Sequence, residues 1–155
     1  MSNAPRASLL GALLLSFTLP ACTTSPDDPG DDLATNRRHW QSQRIADYQV
    51  QFRMSCFCLP DAIAPVVLQV RGGAIVSATR VADGVAVPPS SWRGRYYTVD
   101  QAFALIADAQ AQGAAEVRVS YDPLLRYPTR VFIDPSVRIA DDEQFFEMSG
   151  LAPTR

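Results

Sequence analysis

A chain of 155 residues, 47% hydrophobic and 19% charged, carries enough apolar material for one folded domain but not for two. Its basic side chains are all arginine, and the near-neutral balance of −2 argues against a nucleic-acid partner, which would need a concentrated basic face.

The amino terminus reads as Arg6, a charge-free run from Leu9 to Leu19, then Pro20, Ala21 and Cys22. A basic end, a short apolar core and a small residue before a cut make the order of a secretory signal. The core is too short to span a bilayer, which takes roughly 20 residues. Residues 1–21 are therefore expected to be removed on export.

Leu19, Ala21 and Cys22 resemble the lipobox of bacterial lipoproteins, with Pro20 departing from the small or aliphatic residue usual at its place. That resemblance implies that Cys22 becomes the acylated first residue of the mature chain. Acyl chains contribute about 0.8 kcal/mol per buried methylene and two already anchor stably, so the membrane is the first expected partner. Thr23 is not the Asp that favours inner-membrane retention in enteric-type lipoproteins. The implied address is the outer membrane, facing the periplasm, where the host has one. From Thr23 to Asn36 the chain is polar and rich in Pro, Gly and Asp, so residues 22–36 read as the lipidated Cys and a flexible spacer. Residues 37–155 read as a single globular domain.

A short amphipathic helix is expected from near Leu33 to Arg44, carrying His39 and Trp40. Next, Tyr48, Val50, Phe52, Met54, Cys56 and Cys58 alternate with Gln49, Gln51, Arg53, Ser55 and Phe57, the period of a strand with one face buried. Both thiols would point inward. Val66, Leu68 and Val70 continue the alternation, Gly72 and Gly73 supply the positive φ of a two-residue hairpin, and Ala74 to Val81 returns as the partner strand. Pro88, Pro89 and Gly94 break any period between Val85 and Tyr97, which reads as a loop. Thr98 and Gln101 form a capping box for a helix whose apolar face is Val99, Ala102, Phe103, Ile106 and Ala109, with Gly113 beyond its end. Three more strands are expected at Glu116 to Tyr121, Thr129 to Asp134 and Gln144 to Ser149. The order of helix, three strands, helix, three strands predicts an α+β fold with an antiparallel sheet of about six strands packed on a helix.

Several segments resemble a family of bacterial lipoproteins defined only as a domain of unknown function. They are Trp40, Tyr48 with Cys56, Phe57 and Cys58, the capped helix from Thr98, Val99 and Asp100, Tyr121-Asp122-Pro123 before Tyr127-Pro128-Thr129, and Ile139 to Glu143. The resemblance implies location and fold more than activity.

Catalysis by a nucleophile needs a base and an orienting group beside it. The single His39 sits next to no such motif and reads as a surface or packing residue, so no catalytic residue and no cofactor is assigned. The acidic groups Asp27, Asp28, Asp31 and Asp32, and Asp141, Asp142, Glu143 and Glu147, lack the spacing of an EF-hand loop and are read as spacer and turn, with no metal assigned. With Cys22 acylated, Cys56 and Cys58 remain as a thiol pair in an oxidising compartment, read first as a structural disulfide. An extended strand would hold their Cα atoms about 6.6 Å apart, so the strand must bend or end there. Redox chemistry, though without C-x-x-C, and half of a zinc site stay open.

Asp122, Pro123, Tyr127 and Pro128 read as a turn in which Tyr127–Pro128 can take the cis bond. The same link can present Tyr121, Arg126 and Tyr127 to a partner, helped by Trp92, Arg93, Arg95, Tyr96 and Tyr97 from the long loop, since Tyr, Trp and Arg are the usual interface anchors. The expectation is a lipid-anchored envelope module that binds a protein partner or serves a structural role. The alternatives are a thiol redox protein using Cys56 and Cys58, or an inhibitor of an extracytoplasmic enzyme.

Overall fold

The computed structural model describes residues 29–55, 63–92, 94–139 and 142–154. The expected signal 1–21, the expected lipidation residue Cys22, the pair Cys56 and Cys58, and Arg93, Asp27, Asp28 and Asp141 lie outside the described residues.

Helix α1 spans Pro29–Ser42. It starts earlier than its apolar pattern suggested, with Pro at the first position, where the missing N–H has no intrahelical partner to lose. Leu33 and Asn36 are buried, and Asn36 is tied back to the Asp32 carbonyl and carboxylate, both at 2.6 Å. Residues 29–36 are therefore helix and not flexible spacer. The helix also stops before Arg44, because Gln43 and Arg44 close on the carbonyls of Trp40 and Gln41 and Arg44 takes a left-handed φ of 55°.

Six strands follow: β1 Tyr48–Ser55, β2 Val66–Arg71, β3 Ala74–Arg80, β4 Glu116–Tyr121, β5 Pro128–Asp134 and β6 Gln144–Pro153. Helix α2, Val99–Ala111, lies between β3 and β4 and begins with the Thr98/Gln101 capping box. All described pairings are antiparallel and the strand order is β3-β2-β1-β6-β5-β4. Among the described residues the fold is thus mostly β, with the two helices α1 and α2. Two three-stranded meanders are joined through β1 and β6, a pairing of the first strand with the last. Gly72 and Gly73, at φ 55° and 76°, make the β2–β3 turn. The final strand runs past Ser149 because Gly150, at φ 61°, accommodates a bulge opposite Val50, after which pairing resumes at Gln49 and Ala152. Tyr127–Pro128 is trans, as is every described peptide bond.

Strict alternation in β1 buries Tyr48, Val50 and Phe52 and exposes Gln49, Gln51 and Arg53. The buried set joins Val66, Leu68 and Val70, Val131 and Ile133, and Phe146 and Met148 under the apolar face of α2. Phe52 stacks on Phe146 at 5.4 Å, and each such large side chain contributes about 1.5–3 kcal/mol by leaving water. Both helices contribute to this core, and among the described residues nothing covers the opposite face of the sheet.

Candidate functional site

The loop aromatics expected at a recognition surface are mostly inside the protein. Tyr96 is 6% exposed and meets Phe52 edge-on at 5.6 Å, and Tyr127 is 4% exposed against Trp40 at 6.5 Å. Tyr97 is half-buried between Phe52 and Phe146, and Tyr121 stacks on Phe103 at 6.1 Å. Trp92 is half-buried, its indole N–H donating to the Val87 carbonyl at 2.9 Å. The expectation that these rings are presented to a partner is corrected: a loop beside an open core edge fills that core with its largest apolar groups. Burial raises the hydroxyl pKa of Tyr96, Tyr97 and Tyr127, and burial followed by the Asp32 carboxylate raises that of Tyr121. Arg95 is half-exposed with its guanidinium 5.9 Å from the centre of the Tyr96 ring, and Arg126 is exposed.

The motif residues Trp40, Tyr48, Val99 and Tyr127 assemble at one end of the sheet. Trp40 meets Tyr48 edge-on at 5.7 Å, and the Tyr48 hydroxyl accepts the Val99 N–H at 2.9 Å, satisfying a free donor in the first turn of α2. Desolvation pushes the Tyr48 hydroxyl up to about 12. The β4–β5 link is likewise built from within: Asp122 Oδ1 accepts the N–H groups of Leu124 and Leu125 at 2.9 and 2.7 Å. His39 Nε2 donates to the Leu124 carbonyl at 3.2 Å and Gln43 donates to that of Leu125 at 2.8 Å. His39, itself exposed, is thus a positioning residue for this link, within its reading as a surface or packing residue.

The surface with polar and aromatic groups free to act is the uncovered sheet face over β4, β5 and β6. Register aligns two rows there. In the first, Arg53, Glu147 and Arg130 stand side by side, with Ser120 next to Arg130. Glu147 takes Arg130 Nη2 at 3.0 Å and Arg53 Nη1 at 3.8 Å, so one carboxylate lies between two largely exposed guanidiniums. In the second row Ser55, Phe145, Phe132 and Arg118 align, with the Arg118 guanidinium 4.3 Å above the Phe132 ring. Arg118 also pairs with Glu116 at 2.8 Å. Two shallow clefts sharing Ser120 and Arg130 cross this surface. One of about 520 Å³ is lined by Arg118, Phe132 and Phe145, and one of about 610 Å³ by Asp122, Thr129, Glu147 and Ser149.

The sequence expectation passed over Arg53, Arg118, Arg130, Phe132 and Phe145. The available signal was an Arg or Phe at alternate, non-core positions of β4 and β5, which becomes a cluster only once β6 is known to lie between β1 and β5. Among the described residues no three His, Cys, Asp or Glu side chains converge as metal ligands, and no helix is long and apolar enough to cross a membrane.

No curated protein and no solved structure matches the chain. The model of a family of unknown function, DUF6174, matches residues 32–153, from the second turn of α1 to the last residue of β6. A match over that span of a 155-residue chain shows that the protein belongs to this family of unknown function.

Proposed function

We propose that the protein is a lipid-anchored component of the bacterial cell envelope that acts by binding a partner, with the uncovered face of β4, β5 and β6 as its contact surface. The observation that carries the reading is the double row of Arg53, Glu147 and Arg130 beside Phe145, Phe132 and Arg118. Arginine and aromatic groups dominate binding energy at protein interfaces, whereas the β1–β3 half of the same face presents mainly Gln49, Gln51, Gln69 and Ser77, an ordinary solvated surface. Anchoring through Cys22 is supported by the signal-like start, the residues before Cys22 and the polar segment after it. An envelope protein is the proposed partner.

The test places a photoreactive amino acid at position 132 or, as a control on the same face, at position 69, and irradiates intact envelopes. A discrete adduct from position 132 with none from 69 supports the contact surface. Equal labelling from both positions, or none from either, removes it.

A further inference from the structure

Alternating strand directions sort the connections to two ends of the sheet. The β2–β3 turn, the β4–β5 link, the start of β1 and the end of β6 share one end. Helix α1 lies at this end too: Trp40 packs on Tyr48 and Tyr127, His39 and Gln43 hold the Asp122–Tyr127 link, and Arg44 borders the same cleft as Gly72 and Gly73. Nearer the start of α1, Asp32 acts electrostatically on Tyr121, the last residue of β4.

Helix formation from Pro29 leaves a tether of seven residue steps from Cys22, which spans about 25 Å when fully extended. Strand β1 has 8 residues, whose seven rises cover about 23 Å, so reaching the opposite end of the sheet would need the tether almost fully extended. The near end presents Leu124, 78% exposed, on a link stiffened by Asp122, His39 and Gln43. Arg126, two residues on, has no ion-pair partner among the described residues and holds a left-handed φ of 61°. Asp122 makes no ion pair with Arg126; its Oδ1 accepts the backbone N–H groups of Leu124 and Leu125. Asp32 of α1 also lies at this end, so the attraction to phosphate is local to Arg126 and not a property of the whole end.

We propose that this end faces the bilayer, with Leu124 seated among phospholipid headgroups and Arg126 on lipid phosphate, while the β5–β6 connection with Val137 and Ile139 points away. The inference rests on the proposed Cys22 anchor. An exposed apolar side chain beside a basic one on a rigid loop is the composition of an interfacial contact, and a short tether keeps it at the interface.

The test uses the full lipidated protein in phosphatidylethanolamine and phosphatidylglycerol vesicles with brominated acyl chains, comparing Leu124→Trp and Val137→Trp. Wild type supplies the baseline from Trp40 and Trp92. The added emission at 124 should be quenched at least twofold more than that at 137, and R126Q should reduce this quenching. Quenching at 137 equal to or above that at 124 overturns the orientation, and quenching at 124 unchanged by R126Q overturns the phosphate contact. Cys22→Ser separates the two readings. If wild type and C22S both wash off the vesicles, the anchor and this inference fall together; if wild type stays while 124 is unquenched, only the orientation fails.

Discussion

Tyr48→Phe removes one oxygen and leaves the ring in place. Tyr48 is almost fully buried, and its hydroxyl is the acceptor for the Val99 N–H at 2.9 Å. Without it that donor stays buried at the start of α2, which costs about 1–3 kcal/mol. At about 4 °C per kcal/mol for a domain of this size, the melting temperature should fall by roughly 4–12 °C near neutral pH. The loss should depend on pH in a defined direction. The Tyr48 hydroxyl is pushed from 10.0 up to about 12 in the folded protein, chiefly by desolvation. A pKa raised on folding contributes stability that is fully present below the unfolded value and is lost as pH rises through the folded one. Between pH 10 and 12 the wild type should therefore lose about 1.4 kcal/mol per pH unit through this residue, a loss Y48F cannot show. Urea denaturation of both proteins at pH 8, 10 and 11.5 gives the comparison, and the gap should narrow at the highest pH. A gap below about 0.5 kcal/mol at pH 8, or one that does not change with pH, refutes the capping role of the hydroxyl.

Other substitutions separate structure from surface. Thr98→Ala breaks the capping box and should lower stability by about 1 kcal/mol in chemical denaturation. Trp92→Phe keeps the packing but loses the indole bond to the Val87 carbonyl, with an expected cost of about 1 kcal/mol by the same measurement. Gly150→Ala meets no atom within 4 Å, so its cost is conformational, about 1–2 kcal/mol for forcing a Cβ into the left-handed region. Arg130→Gln on the exposed face should change the melting temperature little, because the surface pair with Glu147 is worth about 0–1 kcal/mol, yet it should reduce the photo-adduct at position 132.

Most of the elements were legible because their signals are local. The alternation from Tyr48, the Gly72-Gly73 turn and the Thr98/Gln101 box each act within a few residues, and the structure places β1, the β2–β3 hairpin and α2 accordingly. The pairing of β6 with β1 was not legible, since it joins segments almost a hundred residues apart with no local mark. The outer-face rows depend on that pairing and were missed with it. Tyr96 and Tyr127 were misplaced because Pro and Gly in their segments set the backbone conformation without fixing which side chains turn inward. The start of α1 was misjudged because its first turn, Pro-Gly-Asp-Asp, has the composition of a spacer and takes helical form next to a buried Leu33.

The account rests on attachment through Cys22, and the most direct measurement is intact mass spectrometry of the mature amino-terminal peptide from isolated membranes. The predicted result is a chain beginning at Cys22 with a diacylglyceryl group on sulfur and no trace of residues 1–21. A chain that retains those residues, or one that carries Cys22 with a free thiol, contradicts it.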